Sequence, residues 1–561
     1  MKNKTIYGII IAALFLIHAL LGVSAIKALS PTYDEHIHLV AGYSYFKTTD
    51  YIMNGYGHPP LAEMWSAAPL LFMNPSFPTT HPFWADILAY QYPFADLFMY
   101  HNRVDAEKML RAGRFMIMLM SLGLGFLIFR WSRELFGDIP AMTAVFLWSF
   151  SSLFIAHGTL VTTDMVITLF YFAFFYSLWK WWRAVKDGKP APLGLKLFVG
   201  VNWGLLMVSK FSAVAVFPAA GLIILWILRR EKTGLKRVLV DTFMAAAAAV
   251  LTMMIVYQFV PLSEYYVTGL KKMMSGILYG RSTFLMGKYS TTGWFYYFPA
   301  VFLLKTPLPF LALLLAAFFR KHILKKEIIL FVLIPAFVYF GMSCFSKVQI
   351  GYRHIMPAFP FLTLFISGLF VDFNFRKPAA VILSSALLFW YSFGTFKTHP
   401  WHISYFNETI GNPDRGYLYL TDSNLDWGQG VKELAKYLRN RNVSGVYLCY
   451  FGASDPHYYG IKYFPIGFID TISDGTSTPL ARGLRPGDRI DFTKEPAALF
   501  VISATNLQAT YYAQKDIFSF LKEIKPEKII AHSIFVYNLS ENPEQYRKLK
   551  EFLKKMGFDE K

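Results

Sequence analysis

Two adjacent carboxylates, Asp34 and Glu35, open the stretch of this sequence best equipped for chemistry. His36 and His38 follow at once, and a Gly-rich turn leads on to His58-Pro59-Pro60-Leu61. A carboxylate drawn out of water has a raised pKa, and a second one beside it raises it further, which brings a general base toward its working range. The same residues also fit a plainer part, because Asp34 after Pro31-Thr32-Tyr33 can open a helix. The prolines after His58 restrict the backbone and hold its imidazole in one place. His36, His38 and His58 with either acid are metal-ligand types, although their spacing matches no recognised metal motif. A divalent metal is the one cofactor these residues leave open.

A second group is cationic. Arg281, Lys288, Lys305, Arg353 and His354 fall in or beside the connections between apolar runs. A phosphate at a bilayer surface needs such partners, and arginine can hold it bidentately; the alternative is snorkelling to lipid headgroups. Asp164 closes Thr162-Thr163-Asp164 at the start of an apolar run, where it would also complement a helix dipole. Further on, Asp422-Ser423-Asn424-Leu425-Asp426-Trp427-Gly428-Gln429 is dense in polar groups around one Trp. Asp422, Asp426 and Trp427 suit sugar recognition by stacking and hydrogen bonding, and the two acids equally suit a capped helix start.

The elements that must carry these residues are membrane helices. Of 561 residues, 55% are hydrophobic and only 16% charged, against roughly 25% charged in ordinary soluble domains. A net charge of +19 would point to nucleic acid in a soluble protein. Here the basic residues cluster in short loops, so no nucleic-acid partner is expected. Two cysteines without a paired spacing exclude a disulfide framework. A span needs roughly 20 apolar residues, and about eleven runs approach that: 6–26, 109–129, 139–156, 165–182, 195–208, 213–228, 238–260, 298–319, 328–345, 355–371 and 379–396. Basic loops occupy every second connection, which places the N-terminus in the cytoplasm and the C-terminus outside. The expected fold is therefore a polytopic α-helical core over 1–399, with a catalytic first outer loop at 28–108, followed by an extracytoplasmic α/β domain over 400–561. Tyr33–Phe46 and Leu61–Phe72 in that loop read as surface helices, apolar side toward the lipid. In the last domain Val431–Arg439 and Asp516–Ile524 read as helices; Val443–Phe451, Ala497–Ile502 and Lys528–Asn538 read as strands.

Taken together, the motifs resemble those of the family 39 polyprenyl-phosphate-dependent glycosyltransferases, the group of protein O-mannosyltransferases and lipid A aminoarabinose transferases. The resemblance rests on Asp34-Glu35 after the first helix, the Pro-Pro-Leu turn, Thr162-Thr163-Asp164, Lys305-Thr306-Pro307-Leu308-Pro309, Gly351-Tyr352-Arg353-His354-Ile355-Met356-Pro357 and Asp422–Gln429. It implies a helical membrane fold of the GT-C type in the plasma (inner) membrane. The implied reaction moves a sugar from a polyprenyl-phosphate donor to an acceptor hydroxyl on a protein, lipid or glycan at the outer face, with inversion. Asp34 would be the base and Glu35 would place the acceptor or hold Asp34. Arg281, Lys288, Arg353 and His354 would meet the leaving phosphate; several relatives carry a carboxylate or a lysine just before the Pro-Pro, where this chain has Gly57 and His58, which speaks against a metal site on that carboxylate and would make His58 a phosphate contact in place of the lysine. Two other classes compete: a secondary transporter, which usually places polar groups near the bilayer midplane in repeated halves, and a non-catalytic scaffold displaying an outer binding domain.

Overall fold

The computed structural model describes residues 2–54, 56–231, 233–443, 445–466, 489–490, 499–555 and 559–560. All eleven apolar runs contain helix, but they are not eleven equal spans. Among the described residues, seven helices are long and apolar enough to cross a bilayer: Thr5–Ala28, Ala106–Phe136, Phe211–Arg230, Leu235–Val256, Lys326–Cys344, Tyr352–Phe370 and Pro378–Thr398. Tyr297–Lys305 and Leu308–Phe318 are bent by 112° and make an eighth if taken together. The break lies at Thr306, whose backbone is extended ahead of Pro307; proline disfavours the helical conformation in the residue before it. The expected run 139–156 is likewise two helices, Asp138–Ser149 and Ser152–His157, restarted by the Ser151 hydroxyl accepting from the Phe154 N–H. Leu193–Met207 has only 15 residues, about 22 Å at 1.5 Å per residue. Length and apolarity together single out seven or eight of the described helices, and Asp164–Val185, with 22 residues, is also of spanning length.

The short helix is held by close approach. A Cβ on Gly200 or Gly204 would stand 2.4 Å from the Ala245 carbonyl oxygen or 2.6 Å from that of Ala249. This small-xxx-small edge lets Leu193–Met207 lie against Leu235–Val256, the packing that serves helices in lipid, where apolar burial alone does not drive association.

Between the first two spans the chain forms a cap of short helices, including Glu35–Thr48, Leu61–Ala67 and Ile87–Tyr100. Glu35–Thr48 differs from expectation. Residues 35–45 are buried, so this helix is packed inside protein rather than laid on lipid. Gly42 makes that possible: a Cβ there would sit 2.0 Å from the Glu63 carbonyl oxygen on the neighbouring helix.

After 400 the chain builds a five-stranded mixed sheet in the order Tyr463–Pro465, Val446–Cys449, Leu499–Ser503, Ile534–Asn538, Lys528–Ile530. The first three strands run parallel and the last two antiparallel. Helix Val431–Asn440 covers one side through Val431, Leu434 and Leu438. The strand expected at Lys528–Asn538 is really two, turned through Ala531 and His532 with φ of 52° and 59°. The helix expected at Asp516–Ile524 shrinks to Ser519–Lys522, and of the strand expected at Ala497–Ile502 the first two residues lie outside the described ones. One apolar core runs unbroken from the membrane helices into this region, from Leu14 to Leu549.

Candidate active site

The first helix ends at Ala28 and the chain turns sharply into Glu35–Thr48. Glu35 builds that turn. Its carboxylate accepts from the Thr32 N–H (2.8 Å) and hydroxyl (3.0 Å), the Val161 N–H (2.9 Å), and Arg114 Nε (2.8 Å) and Nη2 (2.6 Å). Arg114 spends its remaining donors on the carbonyls of Ile26, Leu29 and Ser30. Both side chains are wholly buried. Burial pushes the Glu35 carboxyl up, but the Arg114 charge and these hydrogen bonds outweigh it and hold it below the usual range. The expectation that the adjacent acids raise one another is therefore corrected: Glu35 faces away into an ion pair and fixes the backbone that carries Asp34.

Asp34 faces the other way. Its side chain keeps 30% of its surface exposed, and it meets Arg353 Nη2 at 3.4 Å. Arg353 is the hub. Its Nη1 donates to Asp164 at 3.1 Å and its Nε to the Ser423 hydroxyl at 3.1 Å, while the guanidinium lies 4.1 Å above the Trp427 ring. Asp164 completes the row with Lys210 at 2.6 Å. Four separate segments thus deliver one line of alternating charge: Asp34, Arg353, Asp164, Lys210. A buried cation held by opposite charge and an aromatic face is fixed in place before any ligand arrives.

Histidines close the site. His354 sits within electrostatic reach of Lys210, Arg353 and Asp164, and its Nε2 is buried without a partner. The His58 ring lies 5.2 Å from that of His38, which bonds Glu63 at 2.8 Å. Burial, then the neighbouring His38 and Lys210, push the His58 imidazole well below its ordinary pKa. It is neutral and offers hydrogen bonding, not the charge of a lysine. His36 instead meets Tyr100 at 3.1 Å, so the histidines of this stretch are shared out among different partners. Among the described residues, no group of three or more His, Cys, Asp or Glu side chains is placed to hold a metal.

An aromatic wall borders the carboxylate. Tyr92 and Tyr33 pack edge to face at 5.6 Å, Tyr33 stacks on Phe451 at 5.3 Å, and Phe451 stacks on Tyr511 at 5.7 Å. Arg281 lies over the Tyr511 ring at 5.5 Å and acts electrostatically on Asp422 and Tyr92.

The other expected residues fall elsewhere. Lys288 is exposed beside the turn of the hairpin Thr283–Leu285 and Lys288–Ser290, outside this cluster. Lys305 is buried and donates to the carbonyls of Ile403 (2.8 Å) and Asn424, tying the membrane core to the chain beyond it. Asp422 and Asp426 do not cap the helix that starts at Val431, whose N-cap is Gly430. Asp422 accepts from the Tyr511 hydroxyl and the Ser423 N–H; Asp426 accepts from the Thr505 N–H at 2.8 Å, and burial pushes its carboxyl up to about 7. Trp427 is buried at 2% exposure, so it serves as the floor under Arg353 and is not free to stack on a sugar.

Lys210 and Arg114 were not among the sequence candidates. Arg114 had a readable signal, a charge inside an apolar run. Lys210 resembled an ordinary loop lysine, and only the approach of Asp164 reveals it.

Residues 106–259 match the family model described as dolichyl-phosphate-mannose-protein mannosyltransferase. The match covers 154 of the 561 residues. The matched stretch contains Arg114, Asp164 and Lys210, with Asp34 before it and Arg353 after it. Solved structures similar to it include ArnT from Cupriavidus metallidurans in the apo state, at 10% identity and a TM-score of 0.48 over 94% of this chain and 97% of that one. ArnT bound to undecaprenyl phosphate gives 11% and 0.45 over the same shares. The S. cerevisiae Pmt1-Pmt2 complex bound to the sugar donor gives 17% and 0.31 over 47% of this chain and 34% of that one. No curated protein matches the chain.

Proposed function

We propose that the enzyme transfers a sugar from a polyprenyl-phosphate donor to an acceptor hydroxyl at the outer face of the membrane, with Asp34 as the general base. The observation that carries this reading is the contrast between the two neighbouring acids. Glu35 is buried and saturated with hydrogen bonds, whereas Asp34 is part-exposed and held by one long bond to Arg353. A base needs a lone pair free to meet a substrate proton, and Asp34 has one.

In this reading the acceptor oxygen attacks the anomeric carbon from the side opposite the phosphate. Its proton passes to an Asp34 oxygen, and the carbon–oxygen bond to phosphate breaks with its electron pair going to the phosphate. One displacement inverts the configuration. The phosphate gains negative charge as it leaves, and Arg353 and Lys210, already oriented by Asp164, stabilise it without reorganisation. Arg281 and His354 border the same space. The wall of Tyr92, Tyr33, Phe451 and Tyr511 suits the faces of a sugar ring. The first-loop helices and the C-terminal sheet cover this face together, which supports placing both outside the cytoplasm, with the N-terminus inside. The acceptor is a hydroxyl of protein, lipid or glycan.

The test is turnover of a panel of polyprenyl-phosphate sugars by purified protein with membrane extract as acceptor, following release of free polyprenyl phosphate. Wild type should consume one donor, and a folded Asp34→Asn variant should lose about 100- to 10,000-fold in rate. Equal consumption by both would refute Asp34 as the base.

A further inference from the structure

Directly behind the active cluster lies a cavity of about 20 Å³, lined among others by Ser152, His157, Lys305, His402, Tyr405 and Ser423. Ser423 is the residue that accepts from Arg353, so this space and the catalytic row share a wall. A single water needs roughly 10–15 Å³ of such space, so the cavity fits one atom-sized occupant. Four buried polar atoms on its lining residues have no partner: Ser152 Oγ, His157 Nδ1, His402 Nδ1 and Tyr405 Oη. Buried polar groups are nearly always satisfied, and a cluster of orphans around one cavity signals something that satisfies them together.

The occupant's charge follows from Lys305. Its ammonium is buried, bonded to two carbonyls and lying 4.7 Å from the Phe406 ring. Among the described residues, no carboxylate lies within ion-pair distance of it. Its third N–H is left over. A buried charge without a counter-charge is costly, and proteins pair it. The orphan atoms agree in sign, because each can present a hydrogen to the cavity. Two are hydroxyls and two are imidazole nitrogens. His402 Nε2 is already engaged with His399 Nδ1 at 3.0 Å, an arrangement that leaves Nδ1–H for the cavity when His399 is the donor. A water accepts about two hydrogen bonds and must place two of its own; a halide accepts from every side.

We propose that this cavity is a binding site for a single monovalent halide, chloride under ordinary conditions, that neutralises Lys305 and ties Ser152–His157 to His402–Tyr405. The ion acts as a structural counter-charge beside the catalytic row and takes no part in bond making. The site is independent of the proposed reaction, so its failure and the failure of the Asp34 mechanism are separate results.

The experiment is thermal unfolding of the purified protein in detergent at constant ionic strength, with chloride or bromide replacing gluconate stepwise. Wild type should gain several degrees along a saturating curve. Ser152→Ala/Tyr405→Phe, which removes two donors with little change of shape, should weaken the apparent affinity at least tenfold. Crystals grown in bromide should show an anomalous peak between Lys305, His157 and His402. Equal unfolding temperatures in chloride and gluconate would overturn the proposal. So would a non-saturating rise shared by the variant, which is a general salt effect, or a cavity holding only water in bromide crystals.

Discussion

At the scale of single residues, two neighbouring acids of like chemistry have opposite jobs because their side chains leave the backbone in opposite directions. Asp34→Asn should cut turnover by about 100- to 10,000-fold while leaving the unfolding temperature nearly unchanged, since the side chain has one long contact to lose. Glu35→Gln should do the reverse. It keeps the shape but leaves Arg114 buried beside a neutral amide, and breaking such a pair costs about 3–5 kcal/mol. Thermal unfolding alongside donor turnover at permissive temperature separates the two effects. Lys210→Met tests the cation row: it strips Asp164 of its shortest partner, so turnover should fall by at least tenfold even at saturating donor, as expected when a group acts on the transition state.

Elements meet at distances that individual residues permit. Gly42 allows Glu35–Thr48 and Leu61–Ala67 to touch backbone to backbone. Gly42→Val forces them apart and should lower both stability and turnover, because the displaced helix begins at Asp34. A second element-scale prediction concerns the chain between 422 and 427. The Asp426 carboxyl is raised by burial from 3.8 to about 7, so the folded state holds a proton there that the unfolded state releases. Its contribution to stability is complete below about pH 4 and is lost as pH rises through about 7. Asp426→Asn, always neutral, should show less loss of unfolding temperature than wild type between pH 5 and pH 8. An identical slope in both proteins would contradict that sign.

At the scale of the molecule, the membrane helices and the region after 400 share one apolar core. The two are also pinned by Ser30 hydroxyl to Gly428 carbonyl, Tyr33 N–H to Trp427 carbonyl, Lys432 to Glu107 at 2.6 Å, and Lys305 to Asn424. A division near residue 400 follows composition but not packing. Residues 400–561 expressed alone should therefore fail to give protease-resistant, cooperatively unfolding material, whereas the full chain in detergent should unfold in one transition. The floor under Arg353 comes from that region, so a chain cut after 399 should retain no turnover.

What the amino-acid sequence determined by itself was the class of the protein and the address of its chemistry. Apolar runs of bilayer length, basic loops and a polar first loop are local, additive properties, and they led to a helical membrane protein, in which the motifs marked Asp34, Asp164, Arg353 and His354 as the candidate centre. Those four do converge. Hydropathy does not register the breaks at Thr306-Pro307 and Phe150-Ser151, so two runs that read as single helices are each two. The tertiary structure alone decided which acid is free and which is spent, since that depends on Arg114 lying 79 positions from Glu35. It also recruited Lys210 and turned Trp427 from a sugar platform into a buried floor. Charge pairing and burial depend on which distant segments meet, and no periodicity or spacing along one chain encodes those meetings in readable form.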